Sequence, residues 1–421
     1  MLKENKFSAQ GIFIWLICAL FFLYEFLLRT VLGTFQKPIM SDFELTTIEF
    51  SMVSSTVYLL IYSFMQIPVG LIVDHFGLKK PLLAGALICS VSIIGFSFSQ
   101  TMGWAIFFRA LMGLGSSFGF VCLLISVYDW LPKKHLAFMV GASQFIGTMG
   151  PMMAAGPLES ISEQGSTGWR EIFFILGVVG FLISALVFLF VKNNQEKAGS
   201  FKILKRPESI HKTFSVLFFN TQAWSIALFS GLVYFSLEYL SENEGKDFII
   251  LKGHTNNFAS YMITLAWFGY AIGCPITGFL SDRLQRRRPF LIINAFLALF
   301  GLILVVYTTQ KYFIILGALC LGVGASGQSN CFALMAEQFK KAYLAAALSL
   351  NNTLTMFFSA INAPVLSVFI DQSRRETIVP DISNYDVAFT LLIALVALSL
   401  IFPIFFIKES YCKSKADFTI L

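Results

Sequence analysis

The sequence predicts an all-α polytopic membrane protein with twelve transmembrane helices in two pseudo-symmetric six-helix bundles. Three observations lead to this fold class. The 421 residues are 57% hydrophobic and only 13% charged, with a mean hydropathy of +0.75, so the chain needs lipid as its solvent. Twelve stretches are long and apolar enough to cross a bilayer. One short loop sequence occurs twice at a separation of 208 residues, roughly half of the chain.

The twelve predicted spans follow from the roughly 20 mostly apolar residues that a membrane-crossing helix needs. They cover residues 11–35, 48–72, 80–100, 103–130, 135–158, 169–191, 217–241, 256–281, 289–309, 312–337, 342–370 and 384–407. The first is too long for a cleaved signal sequence. Residues 192–216 are basic and poor in apolar side chains. We therefore expect a linker there, between a six-helix bundle at 1–191 and another at 217–421.

Lysine and arginine residues lie mostly on one side of this arrangement. With the amino terminus inside, cytoplasmic segments hold 21 of the 30 basic residues, outward loops hold seven, and Arg29 and Arg109 lie within spans. This bias agrees with the positive-inside rule. We expect a multi-pass protein of the inner membrane with both termini and the linker in the cytoplasm.

The repeated loop covers residues 70–81 and 278–289. Its two copies align without gaps and share a glycine, an acid, a basic pair and a proline. The glycines would let neighbouring helices approach closely, and the acids and basic pairs would contact helix ends and lipid head groups. Gln285 replaces Gly77 in the second copy, so we expect a different turn there. The predicted gating residues are Gly70, Asp74, Lys79 and Lys80, aligned with Gly278, Asp282, Arg287 and Arg288.

This loop resembles the signature loop of the major facilitator superfamily, which lies between spans 2 and 3 and again between spans 8 and 9. Arg109, Gly113 and Gly115 in span 4, and the glycines and prolines of span 5, resemble further motifs of that family. The resemblance implies a transporter that works by alternating access, with these loops gating the inward opening and spans 1 and 7 lining a central cavity.

Charged residues within the spans are the sharpest functional signal, because ionisable groups in a membrane usually line a cavity or a proton path. Glu25 and Arg29 lie four residues apart in span 1 and can pair on one helix face. Glu238 in span 7 aligns with Glu25. We expect the two glutamates to carry a coupling proton, and Arg29 and Arg109 to bind an anionic group of the substrate. The alternative for Glu25 and Arg29 is an ion pair that only stabilises span 1.

Other polar and aromatic side chains in the spans could complete a substrate site. No cofactor or metal is expected, because the four histidines are scattered in loops and no cysteines are paired at metal-ligand spacing. No phosphate-binding Walker loop occurs, which argues against ATP as the driving force. The expected contacts to substrate, besides the two arginines, are Tyr24, Tyr58, Tyr62, Gln144, Tyr234, Trp267, Tyr270, Gln328 and Asn351.

Span 1, residues 66–70 and residues 156–170 together resemble the phagosomal transporter branch of bacteria that live inside host cells. That resemblance implies uptake of amino acids or nucleosides. We predict a monomeric, proton-coupled importer of a small polar or zwitterionic metabolite such as an amino acid. The alternatives are an organic anion–proton symporter, a nucleoside importer, a drug exporter, a membrane sensor that does not transport, and a polytopic transferase.

Overall fold

The computed structural model of the chain describes residues 7–131, 136–165, 167–193, 216–339, 344–375 and 381–412. Within these ranges the secondary structure is helical throughout, without a strand. The chain divides into two compact units, Met1–Ile203 and Leu204–Leu421. The predicted all-helical membrane fold is confirmed. Most of the predicted linker, residues 194–215, lies outside the described residues, and its limits stay a prediction.

The described residues of unit 1 contain nine α-helices, several of them shorter than a membrane span. Helix α1 begins where the Ser8 hydroxyl accepts a hydrogen bond from the backbone N–H of Gly11, which satisfies one unpaired donor of the first turn. The helices are α1 Ala9–Thr34, α2 Gln36–Phe43, α3 Thr47–Ser51, α4 Val57–Phe76, α5 Lys79–Ser97, α6 Met102–Trp130, α7 Leu136–Ala154, α8 Gly156–Gly165 and α9 Trp169–Phe190.

Unit 2 repeats this organisation, with eight α-helices in its described residues from Thr221 onward. The last predicted span consists of a 3₁₀ turn at Ile382–Tyr385, an α-helix, and a π-helical segment at Phe402–Phe406. The helices are α10 Thr221–Glu242, α11 Gly245–Leu251, α12 Asn256–Leu284, α13 Arg288–Tyr307, α14 Lys311–Ala325, α15 Gly327–Gln338, α16 Leu344–Arg375 and α17 Asp386–Ser399.

The first helix of each unit is its most enclosed element. In unit 1, α1 packs mainly against α6 and α7. In unit 2, α10 packs mainly against α16 and α15, and nearly all of its residues from Ala223 to Glu242 are buried. A helix that is apolar and buried on all sides keeps any polar group it carries away from lipid. These two helices carry Glu25 and Glu238.

Eleven helical segments among the described residues are long and apolar enough to cross a membrane. The predicted fifth span, 135–158, is not among them, and the structure holds it as two helices. Helix α7 contains Pro151 and ends at Ala154, and α8 begins at Gly156. Helix α7 continues through the proline, and the break follows at Ala155.

Two further interruptions were not predicted. Residues Met52–Thr56, between α3 and α4, form a π-helical turn within the second span. In the tenth span, α14 ends at Ala325 and α15 begins at Gly327, with the hydroxyl of Ser326 donating to the carbonyl of Val323 at 2.6 Å. Such breaks often mark functional positions in membrane helices, because they free backbone groups for other contacts.

Candidate functional site

Glu25 lies in the middle of α1 and is only 2% exposed. The hydroxyl of Tyr58, on α4, donates to its carboxylate oxygen Oε2 at 3.2 Å. Gly119 on α6 leaves room for this side chain, because a β-carbon there would lie 2.8 Å from Cγ of Glu25. The sequence motif therefore produces a carboxyl group in a closed polar contact between three helices of unit 1.

Arg29 lies one turn after Glu25 on α1 and is 5% exposed. Its guanidinium stands 5.1 Å from the ring centre of Phe26, a distance that permits a cation–π contact, and it interacts electrostatically with Glu25. The predicted pairing of these residues on one helix face is consistent with this geometry. In one buried site, a carboxyl group can bind a proton and a guanidinium can bind a substrate anion.

Arg109 on α6 has a different environment. Its guanidinium is fully buried and donates to the backbone carbonyls of Leu28 at 2.7 Å, Arg29 at 2.6 Å, Val53 at 3.2 Å and Ser54 at 2.5–3.1 Å. Two of these carbonyls belong to the π-helical turn Met52–Thr56, where the wider helix frees backbone acceptors. The contacts tie α6 to α1 and to the start of α4.

Arg109 was expected to bind substrate, but its donors are engaged by the protein itself. Its guanidinium also lies 4.4 Å from the ring centre of Tyr58, the residue that contacts Glu25. The geometry therefore supports a positioning role, in which Arg109 orients α1 and Tyr58. The sequence gives no sign of this, because the π-helical turn that supplies the carbonyls cannot be recognised from residue types.

The remaining candidates of unit 1 do not all face Glu25. Tyr62 stacks on Tyr58 with ring centres 6.2 Å apart and planes inclined by 9°, so it adjoins the site. The hydroxyl of Tyr24 instead donates to the carbonyl of Leu176 on α9 at 3.0 Å. Gln144 is partly exposed on α7. Tyr24 is thus occupied by packing within unit 1.

Three predicted aromatic residues of unit 2 meet in one cluster. The ring centres of Tyr234, Trp267 and Tyr270 are 5.7–6.2 Å apart in edge-to-face arrangements. The hydroxyl of Tyr270 donates to Oε1 of Gln328 at 2.7 Å. Gln328 is the second residue of α15, so the helix break at Ser326 places it there. Aromatic faces beside an oriented amide can hold the apolar and polar parts of a small solute.

Glu238 and Asn351 lie on the two helices that pack together in unit 2, α10 and α16. Glu238 is 1% exposed and lies four residues before the end of α10. Asn351 is fully buried, and neither atom of its amide group has a hydrogen-bond partner among the described residues. Buried amides are nearly always hydrogen-bonded, so an orphaned one suggests that a ligand or water belongs beside it.

Sequence reasoning missed a buried charged cluster just beyond α10. Glu244 is fully buried, and its Oε2 accepts from the hydroxyl of Tyr385 at 2.7 Å and from Nη2 of Arg374 at 3.3 Å. The same Arg374 nitrogen lies 2.6 Å from the Tyr385 hydroxyl. The acidic run Glu242, Glu244 and Asp247 directly after an apolar span was the available signal. The contact joins the ends of α10 and α16.

Close helix approach at Gly70 and Gly278 stays a prediction, because the structure shows open space beside both. A β-carbon at either position would have no atom within 4 Å in the part of the chain that the structure describes. The expected difference between the two turns is found. Gly77 adopts φ 75° and ψ −177°, a conformation that only glycine adopts readily, whereas Gln285 adopts the left-handed helical values φ 50° and ψ 39°.

In the second loop copy, one arginine contacts two acidic residues. Arg287 lies 2.6 Å from Asp282 and 2.8 Å from Glu337 at the end of α15, and Arg288 donates to the carbonyls of Pro403 and Ile404. In the first copy, the ammonium of Lys79 stands 5.3 Å from the ring of Phe188, and Lys80 is exposed. The side chain of Asp74 lies outside the described part of the structure. A gating role for these loops stays a prediction.

The described residues contain no group of three or more histidine, cysteine or acidic side chains that could hold a metal ion. The arrangement is suited to binding an ionic solute and to taking up a proton.

Comparison with known proteins places these features in a family. The family model described as Major Facilitator Superfamily matches residues 15–244 and 246–417. A probable L-galactonate transporter of Escherichia coli K12 is 23% identical over 369 residues, which cover 82% of this chain and 80% of that protein. A probable sulfoacetate transporter of Cupriavidus necator is 24% identical over 194 residues, which cover 46% of this chain and only 44% of the relative's length.

A solved structure with the same fold is that of a D-xylose–proton symporter. It is 16% identical to this chain, covers 96% of it, has 99% of its own length covered, and superposes with a TM-score of 0.77. The agreement extends to a twelve-helix transporter fold. Together with the family match, it excludes the enzyme alternative. The chain belongs to the major facilitator superfamily and is a multi-pass membrane transporter of small molecules.

Proposed function

We propose that this transporter imports a small metabolite that bears a carboxylate, such as an amino acid, together with protons. The observation that carries the proposal is the buried contact of Glu25 with Tyr58, one helical turn from Arg29. A carboxyl group in a low-dielectric site binds a proton more readily than one in water, and a guanidinium binds a carboxylate through two parallel hydrogen bonds. One site then holds both solutes.

Competition for Arg29 couples the two solutes. With Glu25 ionised, its carboxylate and a substrate carboxylate compete for the same guanidinium. Protonation of Glu25 removes that competition, and the neutral acid can keep its contact with the hydroxyl of Tyr58. Substrate and proton therefore favour each other's binding, which is the linkage that symport requires. Arg109 keeps α1 and Tyr58 in position and does not contact substrate in this mechanism.

Unit 2 contains its own group of side chains suited to binding a small solute. The cluster of Tyr234, Trp267 and Tyr270 offers apolar faces, and Gln328 and Asn351 offer amide groups. The orphaned amide of Asn351 supports this assignment, because a substrate hydroxyl or ammonium would satisfy it. Glu238 is the second candidate for a proton-binding carboxylate.

An organic acid is the second candidate substrate. The relatives described as L-galactonate and sulfoacetate transporters are named for anions, whereas an amino acid is a zwitterion. Both classes would place a negative group on Arg29. They differ at the other end of the molecule, where an amino acid presents an ammonium and a sugar acid presents hydroxyl groups.

We place the transporter as a monomer in the inner membrane, with both termini and the repeated loops in the cytoplasm. The proposal rests on the charge bias of the loops and on similarity to bacterial inner-membrane proteins. Cysteines introduced at Lys80 and at Tyr312, which are both exposed, test the orientation. A membrane-impermeant thiol reagent added to intact cells should label position 312 and not position 80, and the reverse pattern would contradict the orientation.

The coupling is tested with purified protein in proteoliposomes under an imposed pH gradient, inside alkaline. Amino acids and sugar acids are supplied separately as labelled substrates. The wild type should accumulate one of them against its concentration gradient. Glu25→Gln should abolish accumulation but retain exchange of labelled for unlabelled substrate, because binding survives without the titrating group. The control is Glu171→Gln, which changes an exposed acid at the start of α9. Unchanged pH-driven accumulation by Glu25→Gln would remove Glu25 from the coupling role.

A further inference from the structure

The third membrane helix of unit 2, α13, is closed at its carbonyl end by a lysine from another part of the chain. The ammonium of Lys252, in the connection between α11 and α12, donates to the carbonyls of Val305 at 2.5 Å, Val306 at 2.6 Å and Thr308 at 2.8 Å. It also stands 4.5 Å from the ring centre of Phe248. The last carbonyls of a helix lack partners within it, so these contacts satisfy groups that would otherwise need water.

The corresponding helix of unit 1, α5, is closed in the same way by an arginine. Arg170, at the start of α9, donates from Nη1 to the carbonyls of Ser97 at 2.9 Å and Ser99 at 2.7 Å. Its guanidinium is held by the carboxylate of Asp42 at 3.3 Å and by the ring of Trp169 at 4.3 Å. A cation thus meets the negative end of the helix dipole in both units.

The internal repeat shows that this is one device built twice. The repeat offset of 208 residues relates Ser97 to Val305, so the two cations share this one equivalent carbonyl, while their other carbonyl partners differ. The cations themselves are not equivalent. Arg170 follows the fifth span of its unit, whereas Lys252 follows the first span of the other. Two unrelated positions have supplied the same chemistry to the same place.

The amino ends of these two helices are closed as well. The backbone N–H of Lys79 donates to Oδ1 of Asn193 at 2.9 Å. Its repeat equivalent, Arg287, donates from its backbone N–H to Glu409 at 2.8 Å, and the next N–H, of Arg288, donates to the same carboxylate at 3.0 Å. Asn193 lies three residues after α9, and Glu409 lies three residues after the π-helical segment Phe402–Phe406.

We propose that these four end caps keep α5 and α13 rigid from end to end within their units. Each helix has an oxygen acceptor at its positive end and a cation at its negative end, and all four caps come from outside the helix. Asn193 and Arg170 hold α5, and Glu409 and Lys252 hold α13. Alternating access moves each half largely as a rigid body, so a helix fixed at both ends carries the motion without fraying.

The proposal is tested by hydrogen–deuterium exchange of the intact transporter in lipid nanodiscs. Lys252→Met should speed amide exchange in the last turn of α13 by about tenfold, which corresponds to about 1.4 kcal/mol, and leave α5 unchanged. Arg170→Met should speed amide exchange in the last turn of α5 and leave α13 unchanged. Lys252→Arg should retain most of the protection, because a guanidinium can also donate to several carbonyls.

The matched control is Lys311→Met. Lys311 begins α14 just after α13 and stands 5.7 Å from the ring of Phe258. Its loss should leave exchange at the end of α13 as in the wild type. Equal protection in Lys252→Met and wild type, or a change of the same size with Lys311→Met, would overturn the proposal. If Lys252→Met does not fold, the milder Lys252→Gln is compared with Lys252→Arg in the same measurement.

Transport separates this proposal from the one on substrate binding. The caps lie at helix ends and touch none of the residues assigned to the substrate. Lys252→Met and Arg170→Met should therefore lower the turnover number severalfold and leave KM within twofold of the wild type. Changes confined to KM would contradict the proposal that the caps keep α5 and α13 rigid. They would not bear on the coupling role of Glu25.

Discussion

Arg29 and Arg109, the two buried arginines within the spans of unit 1, should respond differently to replacement by lysine. Replacing arginine by lysine keeps the positive charge but exchanges a planar five-donor fork for an ammonium with three donors. Arg109 uses its fork to reach four carbonyls in α1 and the π-helical turn. Arg29 has its assigned role toward substrate. We therefore expect Arg109→Lys to cost stability and Arg29→Lys to cost affinity.

The size of the first effect follows from the contacts. The guanidinium of Arg109 makes five donor–acceptor contacts at 2.5–3.2 Å to these carbonyls. An ammonium with three donors loses at least two of them. Hydrogen bonds from a charged donor contribute about 1.5 kcal/mol each, so Arg109→Lys should lower the free energy of unfolding by about 3 kcal/mol. At roughly 2–4 °C per kcal/mol, this lowers Tm by about 6–12 °C.

The assay is thermal unfolding in detergent, paired with initial uptake rates in proteoliposomes. Arg29→Lys should unfold within about 2 °C of the wild type but raise KM about tenfold, because it loses two-pronged carboxylate binding worth about 1.4 kcal/mol. Arg109→Lys should show the lowered Tm, with KM nearly unchanged in the molecules that remain folded. The reverse assignment, with a stable Arg109→Lys of raised KM, would refute the positioning role given to Arg109.

Four further substitutions test other contacts. Asn351→Leu removes an orphaned buried amide, so Tm should stay the same or rise while uptake falls at least tenfold; a clear loss of Tm would indicate a structural amide. Glu244→Gln leaves Arg374 without its carboxylate and should cost about 2–3 kcal/mol in chemical denaturation, less than a fully buried pair, because Arg374 is partly exposed. Gly77→Ala should lower Tm by several degrees, because alanine is strained at the positive φ of this position. Gln285→Gly should raise Tm slightly, because glycine relieves the left-handed strain of Gln285. Equal shifts would contradict the conformational argument.

Composition and periodicity were sufficient for the architecture. A chain with so few charges must place its spans in lipid, and every backbone group there must be paired within a helix. The repeated loop then divides the chain into halves, and the alignment of Glu25 with Glu238 extends the repeat into the spans. These arguments depend only on local sequence. The aromatic residues Tyr234, Trp267 and Tyr270 were also selected this way, and the fold brings them together.

Roles that depend on a residue's neighbours were not accessible in this way. Arg109 and Arg29 are both arginines within spans, yet the π-helical turn at Met52–Thr56 supplies carbonyls to only one of them. Gly70 and Gly278 recur at the repeat offset, yet a β-carbon at either position would meet no atom within 4 Å among the described residues. A side chain's type says what it can bind. Its surroundings decide what it does bind.

The sequence by itself determined the membrane fold, its two-fold repeat and the polar residues available for transport. The reason is that hydrophobicity is a sum over neighbouring positions and the repeat is a comparison of residue types. Neither requires knowledge of which side chains meet in the fold. Only the tertiary structure decided that Arg170 and Lys252 close equivalent helices, that Glu244 meets Arg374 and Tyr385, and that Tyr58 joins Glu25. These contacts form between residues far apart in the chain, where the direction and burial of each group set its partner.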